Sequence, residues 1–331
     1  MTGRALLARL GAVAALVVVA AAACHRRAVD EGPLRLGYFP NVTHGQALVG
    51  LDDGTFGRAL SGRLEARMFN AGPAAMEALL VGDLDASYVG AGPAVIAWFR
   101  SERQELRVVA GAVSGGAVLV VRDARSAEDL AGKRVGSPQL GNTQDVALRA
   151  WLRAHGLSDR GGARGVEVTP LSNADNLAMF RRGELAGAWV PEPWGARLVA
   201  EADGRILVDE RTLWPDGRFP TAVLVVSRRA LERRRGDVLA LVRAHLELTR
   251  RWQADPEGFG RLANEAYGRR TGKPLQPGVL RDALSRLEPL ADPMGPQLAQ
   301  LARQAQAIGF APPGDPEGMV DASVLAEIDR R

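Results

Sequence analysis

The segment 34–40, LRLGYFP, leads through Asn41, Val42, Thr43 and His44 into the apolar run Ala47-Leu48-Val49. The segment 133–138, KRVGSP, leads through Gly141, Asn142 and Thr143 into Val146-Ala147-Leu148. Each has the order strand, glycine, proline-containing loop, helix start. A second echo follows each: GDLDASYV from Gly82 and GELAGAWV from Gly183. The offset between partners is nearly constant, 36 to 133 and 82 to 183. A chain repeated in this way is constrained to two similar α/β units, each gathering helix N-termini at the carboxyl ends of its strands. Two such units facing each other are suited to close on a small ligand.

Between these landmarks the chain alternates. Strands are expected at 34–38, 64–69, 85–89 and 106–113, with helices at 46–58, 74–81 and 93–103 between them. Pro73 and Pro93 sit well at first helical positions. This alternation argues for parallel βαβ units. Ser114-Gly115-Gly116 interrupts it, and a β-rich run, 117–121, follows. The second unit reads as strand 133–136, helix 143–155, strand 166–169, helix 175–182 and strand 187–190. The run 222–227 matches 117–122 in length and apolar content, so the pair is taken as two crossover strands between lobes. Helices are expected at 237–252, 256–267, 277–287, 295–308 and 319–328, from Leu, Ala and Val at helical spacing. They are assigned to the first lobe, which makes it discontinuous: 34–116 with 228–331, around a second lobe at 117–227.

The N-terminus points to a compartment. Arg4 and Arg9 precede an uncharged stretch, 10–23, that ends in three alanines before Cys24. Fourteen residues fall short of the roughly 20 needed to span a bilayer and fit the apolar region of a signal peptide, 1–23. Cys24 is the only cysteine, and its placement resembles the lipobox of bacterial lipoproteins. The expectation is an exported protein, lipid-anchored through Cys24 to the outer face of a bacterial membrane, with 24–33 as a tether. A single cysteine leaves no internal disulfide. The net charge of +4 is small and scattered, without the basic stripe that nucleic acid would require.

Several loops could hold a ligand. At Gly141-Asn142-Thr143 a glycine lets the backbone approach closely, and the first-turn N–H groups favour an anion. Asn142 either meets that ligand or caps its own helix. Asn70-Ala71-Gly72-Pro73 and Gly90-Ala91-Gly92-Pro93 form a matched pair of small-residue helix starts. Pro40, Asn41 and His44 bring polar reach from a third strand end. Trp194 offers an apolar wall, and Glu192 beside it could repel or pair with a cation. These loops contain neither lysine nor arginine, which favours a singly charged oxyanion over a phosphate. His25, His44, His155 and His245 have no metal-ligand spacing, and no nucleophile elbow, Walker loop or dinucleotide fingerprint occurs. No catalytic residue, metal or cofactor is expected.

Taken together these segments resemble the substrate-binding proteins of ABC importers for aliphatic sulfonates, taurine and nitrate. The likeness rests on Phe69 to Pro73 with Gly82, Leu84-Asp85, Tyr88 and Gly90 to Pro93; on Gly141-Asn142-Thr143; on Leu171 to Asp175 with Phe180, Gly183, Ala188-Trp189 and Pro193; and on Gly37 with the loop to His44. It implies a two-lobed fold of the periplasmic-binding-protein type (type II), with the ligand cleft between lobes. Gly141 to Thr143 resembles the helix start that holds the sulfonate head. The resemblance further implies a small anionic solute, alkanesulfonate or taurine-like, as ligand, and ABC permease and ATPase subunits as partners of a monomeric receptor. A nitrate receptor, a receptor serving a signalling partner and an enzyme related to thiamin-pyrimidine synthesis proteins are the alternatives on the same fold. The last relies on cysteine and histidine clusters that this chain lacks.

Overall fold

The computed structural model describes residues 32–101, 105–162 and 164–330. The expected signal peptide, Cys24 and most of the tether lie outside these residues. The described strands form two sheets. The first takes β1 (Leu34–Tyr38), β2 (Leu64–Met68), β3 (Ala86–Val89) and β4 (Leu106–Gly115). The chain then crosses at Gly115-Gly116 and builds the second from β5 (Ala117–Val121), β6 (Arg134–Pro138), β7 (Glu167–Leu171), β8 (Gly187–Pro191) and β9 (Arg205–Asp209). It returns to the first sheet with β10 (Pro220–Ser227) and β11 (Leu287–Pro289).

The spatial orders are β11-β4-β10-β3-β1-β2 and β7-β6-β8-β5-β9. The sequence repeat becomes a structural one: β2-β1-β3 and β7-β6-β8 are both parallel, with Leu36 opposite Ala86 and Val135 opposite Gly187. Beside the third strand of each trio runs an antiparallel strand, β10 in one sheet and β5 in the other. Each arrives from the opposite lobe.

That exchange corrects the expected boundary at 227. β10 lies wholly within the first sheet, pairing with β4 at Leu224 opposite Ala110. The second crossing is therefore the stretch before it, where short turns occupy Glu210–Leu213 and Pro215–Gly217. β5 and β10 are both fully buried apolar strands, so composition cannot say which sheet either joins. Three further differences are local. The expected helix at 46–58 is broken at Gly54, whose φ of 78° is left-handed. The one at 277–287 ends at Leu284, and Leu287–Pro289 pairs instead with β4. β9 and the helix Trp194–Ala202 were not anticipated.

Apolar residues cover both faces of each sheet, which is why these strands read as continuous apolar runs. Along β10, Leu224 and Val226 point into the core shared with Val242, Leu248 and Trp252, while Val223 and Val225 join Trp98, Leu298 and Leu301. Along β5, Leu119 and Val121 face one core and Val118 and Val120 the other. This two-residue period follows from strand geometry. The late helices Arg235–Ala254 and Gly295–Ala307 thus pack on the first sheet, far from it in sequence.

The two repeat glycines have a packing role. A Cβ at Gly37 would lie 2.6 Å from Ser87 Oγ, and one at Gly136 would overlap the Asn176 amide. Asn176 is held there by donating to the Ser137 and Ser172 carbonyls at 3.1 and 3.2 Å. Gly136→Ala should therefore destabilise the protein by about 1–3 kcal/mol through overpacking, seen as an earlier midpoint in urea. An unchanged midpoint would show that this strand–helix contact yields freely.

Candidate functional site

Five helices begin where parallel strands end, and all five starts face one cleft. Gly72–Leu80 follows β2, Ala91–Arg100 follows β3, Thr143–Ala154 follows β6, Asn173–Arg181 follows β7 and Trp194–Ala202 follows β8. A helix start leaves N–H groups without internal partners and carries the positive end of the helix dipole. In four of the five the N-cap residue makes no side-chain bond, although two first-turn N–H groups are taken by other side chains, Gly92 N by Thr143 Oγ1 and Ala196 N by Glu192 Oε2. Only Ser172 caps, its Oγ accepting from Asp175 N at 3.1 Å. Asn142 stands at the cap position of its helix by backbone geometry, yet its side chain makes no cap bond, so the amide is released from that duty.

The cleft has a volume of about 330 Å³ and takes walls from both lobes. Of the residues expected in the site, Pro40, Asn41, His44, Asn70, Ala71, Gly90, Asn142, Thr143 and Trp194 line it. Sequence reasoning did not single out Phe39, Thr43, Gln144, Ser172, Asn173, Ala174, Pro191 and Thr221 as ligand contacts. Ser172 carried a usable signal, a helix-capping serine three residues before Asp175. Thr221 carried none, because it comes from β10. Among the described residues, no charged side chain lines the cleft.

Gly72, Ala91, Gly92, Gly141 and Glu192 do not line it. Gly92 and Gly90 instead let the lobes meet: Gly92 N donates to Thr143 Oγ1 at 3.1 Å, and a Cβ at Gly90 would lie 2.5 Å from that oxygen. Gly72 similarly makes room for Asn142, whose Oδ1 would lie 3.1 Å from an added Cβ. Ala91 is buried in the core beneath its own helix start. Gly141 shapes the turn, with φ at 79° and its N–H given to Asp145 Oδ2 at 3.0 Å. Buried Asp145 also accepts from Ser137 Oγ at 2.7 Å and pairs with Arg149.

His44 is a neutral member of the cleft. Its Nδ1 accepts from Phe39 N at 3.2 Å, and its ring stacks on Phe39 with centroids 4.6 Å apart. Burial lowers its pKa to about 3, so near neutral pH the remaining ring proton sits on Nε2, a donor. Asn41, also nearly buried, contributes an amide whose Oδ1 has no partner. The site thus offers backbone and neutral side-chain donors and one unpaired acceptor, Asn41 Oδ1, flanked by the apolar Phe39, Pro191 and Trp194.

Glu192 belongs to the hinge. Its Oε1 accepts from Arg286 Nε at 2.6 Å and its Oε2 from Ala196 N at 3.0 Å, while its own N–H donates to Gly116 O at 2.8 Å. Burial pushes this carboxyl up, and Arg286 opposes the push. Arg286 also pairs with Asp282 at 2.5 Å. Since Arg286 precedes β11 and Glu192 follows β8, the ion pair ties one lobe to the other at the crossing. Removing one partner of a buried pair leaves an uncompensated charge, so Arg286→Met should cost about 3–5 kcal/mol of stability. Adding Glu192→Gln should recover part of that loss in the same denaturant titration. A double variant no more stable than the single would mean that the two groups are not coupled.

A family model for NMT1-like proteins matches residues 27–264. The taurine-binding periplasmic protein of Escherichia coli (strain K12) is 27% identical over 212 residues, which make up 64% of this chain and 64% of that protein. The match therefore spans slightly less than two thirds of that relative's length. Among solved structures, the alkanesulfonate-binding protein SsuA from Xanthomonas axonopodis pv. citri, bound to MOPS, superposes with a TM-score of 0.69 at 22% identity, over 85% of this chain and 95% of that one. The periplasmic nitrate-binding protein NrtA from Synechocystis PCC 6803 gives a TM-score of 0.76 at 14% identity, over 91% and 89%. At such identities these structures speak for the fold alone. They bear out the two-lobed α/β reading, and the relatives named are binding proteins, not enzymes.

Proposed function

The chain belongs to the NMT1-like family, and on that premise we propose that it is an exported solute-binding lipoprotein that captures a small organic anion and hands it to an ABC permease and ATPase. The ligand class is an alkanesulfonate or a taurine-like solute. One observation supports this reading: five helix starts, four of them without a side-chain bond from the N-cap residue, converge on a cleft that, among the described residues, no charged side chain lines. Oriented N–H groups and dipole ends suit a single negative charge. A doubly charged phosphate would recruit arginine or lysine, because charge-assisted bonds are about twice as strong as neutral ones. Phe39, Pro191 and Trp194 give a short organic tail an apolar wall. The cleft's size, about 330 Å³, lies at the small end of the range for ligand sites.

Calorimetry with ethanesulfonate, taurine, nitrate, sulfate and phosphate tests the proposal. A short sulfonate or taurine should bind tightest, and Thr143→Ala should cost about 1–3 kcal/mol of that binding. Ser158→Ala, outside the cleft, should leave it unchanged. Affinity should stay flat from pH 5 to 8, since His44, with a pKa near 3, is neutral throughout. Phosphate binding tightest overturns the ligand class, and nitrate binding tightest favours the inorganic alternative.

The anchor is tested separately. Cys24 should incorporate fatty acid, and Cys24→Ser should release the protein from the membrane fraction. A Cys24→Ser protein that remains membrane-bound would remove the lipoprotein part of the proposal and leave the binding part intact.

A further inference from the structure

Beneath the loop 137–143 a chain of charged side chains runs away from the cleft. Asp145, in the first turn of the helix Thr143–Ala154 and fully buried, accepts from Gly141 N at 3.0 Å and from Ser137 Oγ at 2.7 Å. It holds the loop at two points. Arg149, one turn further on, donates through Nε to both Asp145 oxygens at 3.2 Å and through Nη1 to Asp159 at 3.1 Å. Arg153 shares Asp159 at 3.6 Å. Both arginines also reach out of the second lobe. The Arg149 guanidinium lies over the Phe310 ring, 5.6 Å from its centroid. Arg153 donates to Ala307 O at 2.7 Å, at the carboxyl end of the helix Gly295–Ala307. Two carboxylates and two guanidiniums balance, and none of the four lines the cleft.

We infer that Arg149 is the positioning residue of the anion loop: it fixes Asp145 against that loop and seats the assembly on the first lobe through Phe310. The assignment rests on the reading of the cleft as an anion site. Backbone donors serve a ligand only when held to a narrow range of distance and angle. The loop's own cleft residues do not supply that order from within the second lobe. Asn142 makes no cap bond, and Thr143 Oγ1 accepts from Gly92 N of the other lobe. Asp145 supplies it from below, at the cost of a buried carboxylate beneath an anion site. Arg149 cancels that charge. A guanidinium can meet two carboxylates and an aromatic face at once, which an ammonium cannot do with fixed geometry. Because one side chain contacts both the loop's anchor and the first lobe, order in the loop and contact between the lobes are linked through it.

Amide hydrogen exchange across 137–144, followed by mass spectrometry on the whole protein without ligand, reads the positioning directly. Arg149→Met, which keeps an apolar stem, should speed exchange there about tenfold or more and leave 34–38 unchanged. Ethanesulfonate, titrated by calorimetry well below each variant's melting temperature, should bind Arg149→Met roughly tenfold more weakly. Phe310→Leu, which removes only the aromatic face, should weaken binding roughly two- to fivefold. Arg149→Lys keeps the charge without the fork, so it should fall between wild type and Arg149→Met in both readings, and it decides if Arg149→Met does not fold. Arg182→Met, which removes an exposed pair with Glu184, should change neither. Adding Asp145→Ala to Arg149→Met restores the charge balance but leaves no grip on Gly141, so affinity should stay low. Recovered affinity in that double variant would reduce Arg149 to a neutralising charge and overturn the positioning role. Wild-type exchange across 137–144 in Arg149→Met would overturn it too. Faster exchange in a protein whose wild type does not bind ethanesulfonate supports the positioning role and overturns the ligand class.

Discussion

A helix that follows a parallel strand must present its unpaired N–H groups at that strand's carboxyl end. Everything about the cleft follows from this constraint. With β1, β2 and β3 parallel in one sheet and β6, β7 and β8 parallel in the other, the loops that must be polar all collect on facing edges. The binding surface is therefore a by-product of topology, refined by few side chains. Because the N–H groups supply the positive potential, the cleft can stay free of formal charge, and desolvating it costs less than desolvating a guanidinium or ammonium.

Closing two lobes on such a cleft demands that they approach without collision. Gly90 and Gly92 meet Thr143 at distances that would not admit a Cβ, and a Cβ at Gly72 would sit tightly, 3.1 Å from Asn142 Oδ1. At the opposite end of the junction, Gly115 and Gly116 take left-handed φ values of 76° and 73° where the chain crosses. Glu192 and Arg286 join the lobes beside that crossing. The glycines set how near the lobes lie, and the ion pair joins them beside the crossing. Arg286 holds the Glu192 charge at the crossing and out of the cleft, as the proposed anionic ligand would require, since an unpaired carboxylate beside Trp194 would repel it.

Much of this was legible in the chain. The loops read at the strand ends located nine of the residues that line the cleft, because helix starts are written locally, in small residues, prolines and cap formers. The neighbours that escaped notice are of two kinds. Gln144 lies one residue past Thr143, and Asn173 and Ala174 open a helix that was expected only from 175. Thr221 enters from a strand whose sheet could not be assigned.

What the sequence by itself determined is a set of local events: most of the strands, most of the helix starts, and that two similar units exist. Hydrophobic period and backbone preference decide these within a few residues. Only the tertiary structure decided that β10 joins the first sheet, since β5 and β10 are equally apolar and pairing energy alone distinguishes their places. It also decided that Glu192 answers to Arg286, a residue 94 positions away, and that Arg149 meets Phe310 on the other lobe. A buried charge takes its role from the partner that folding brings within about 3 Å, and no local pattern names that partner.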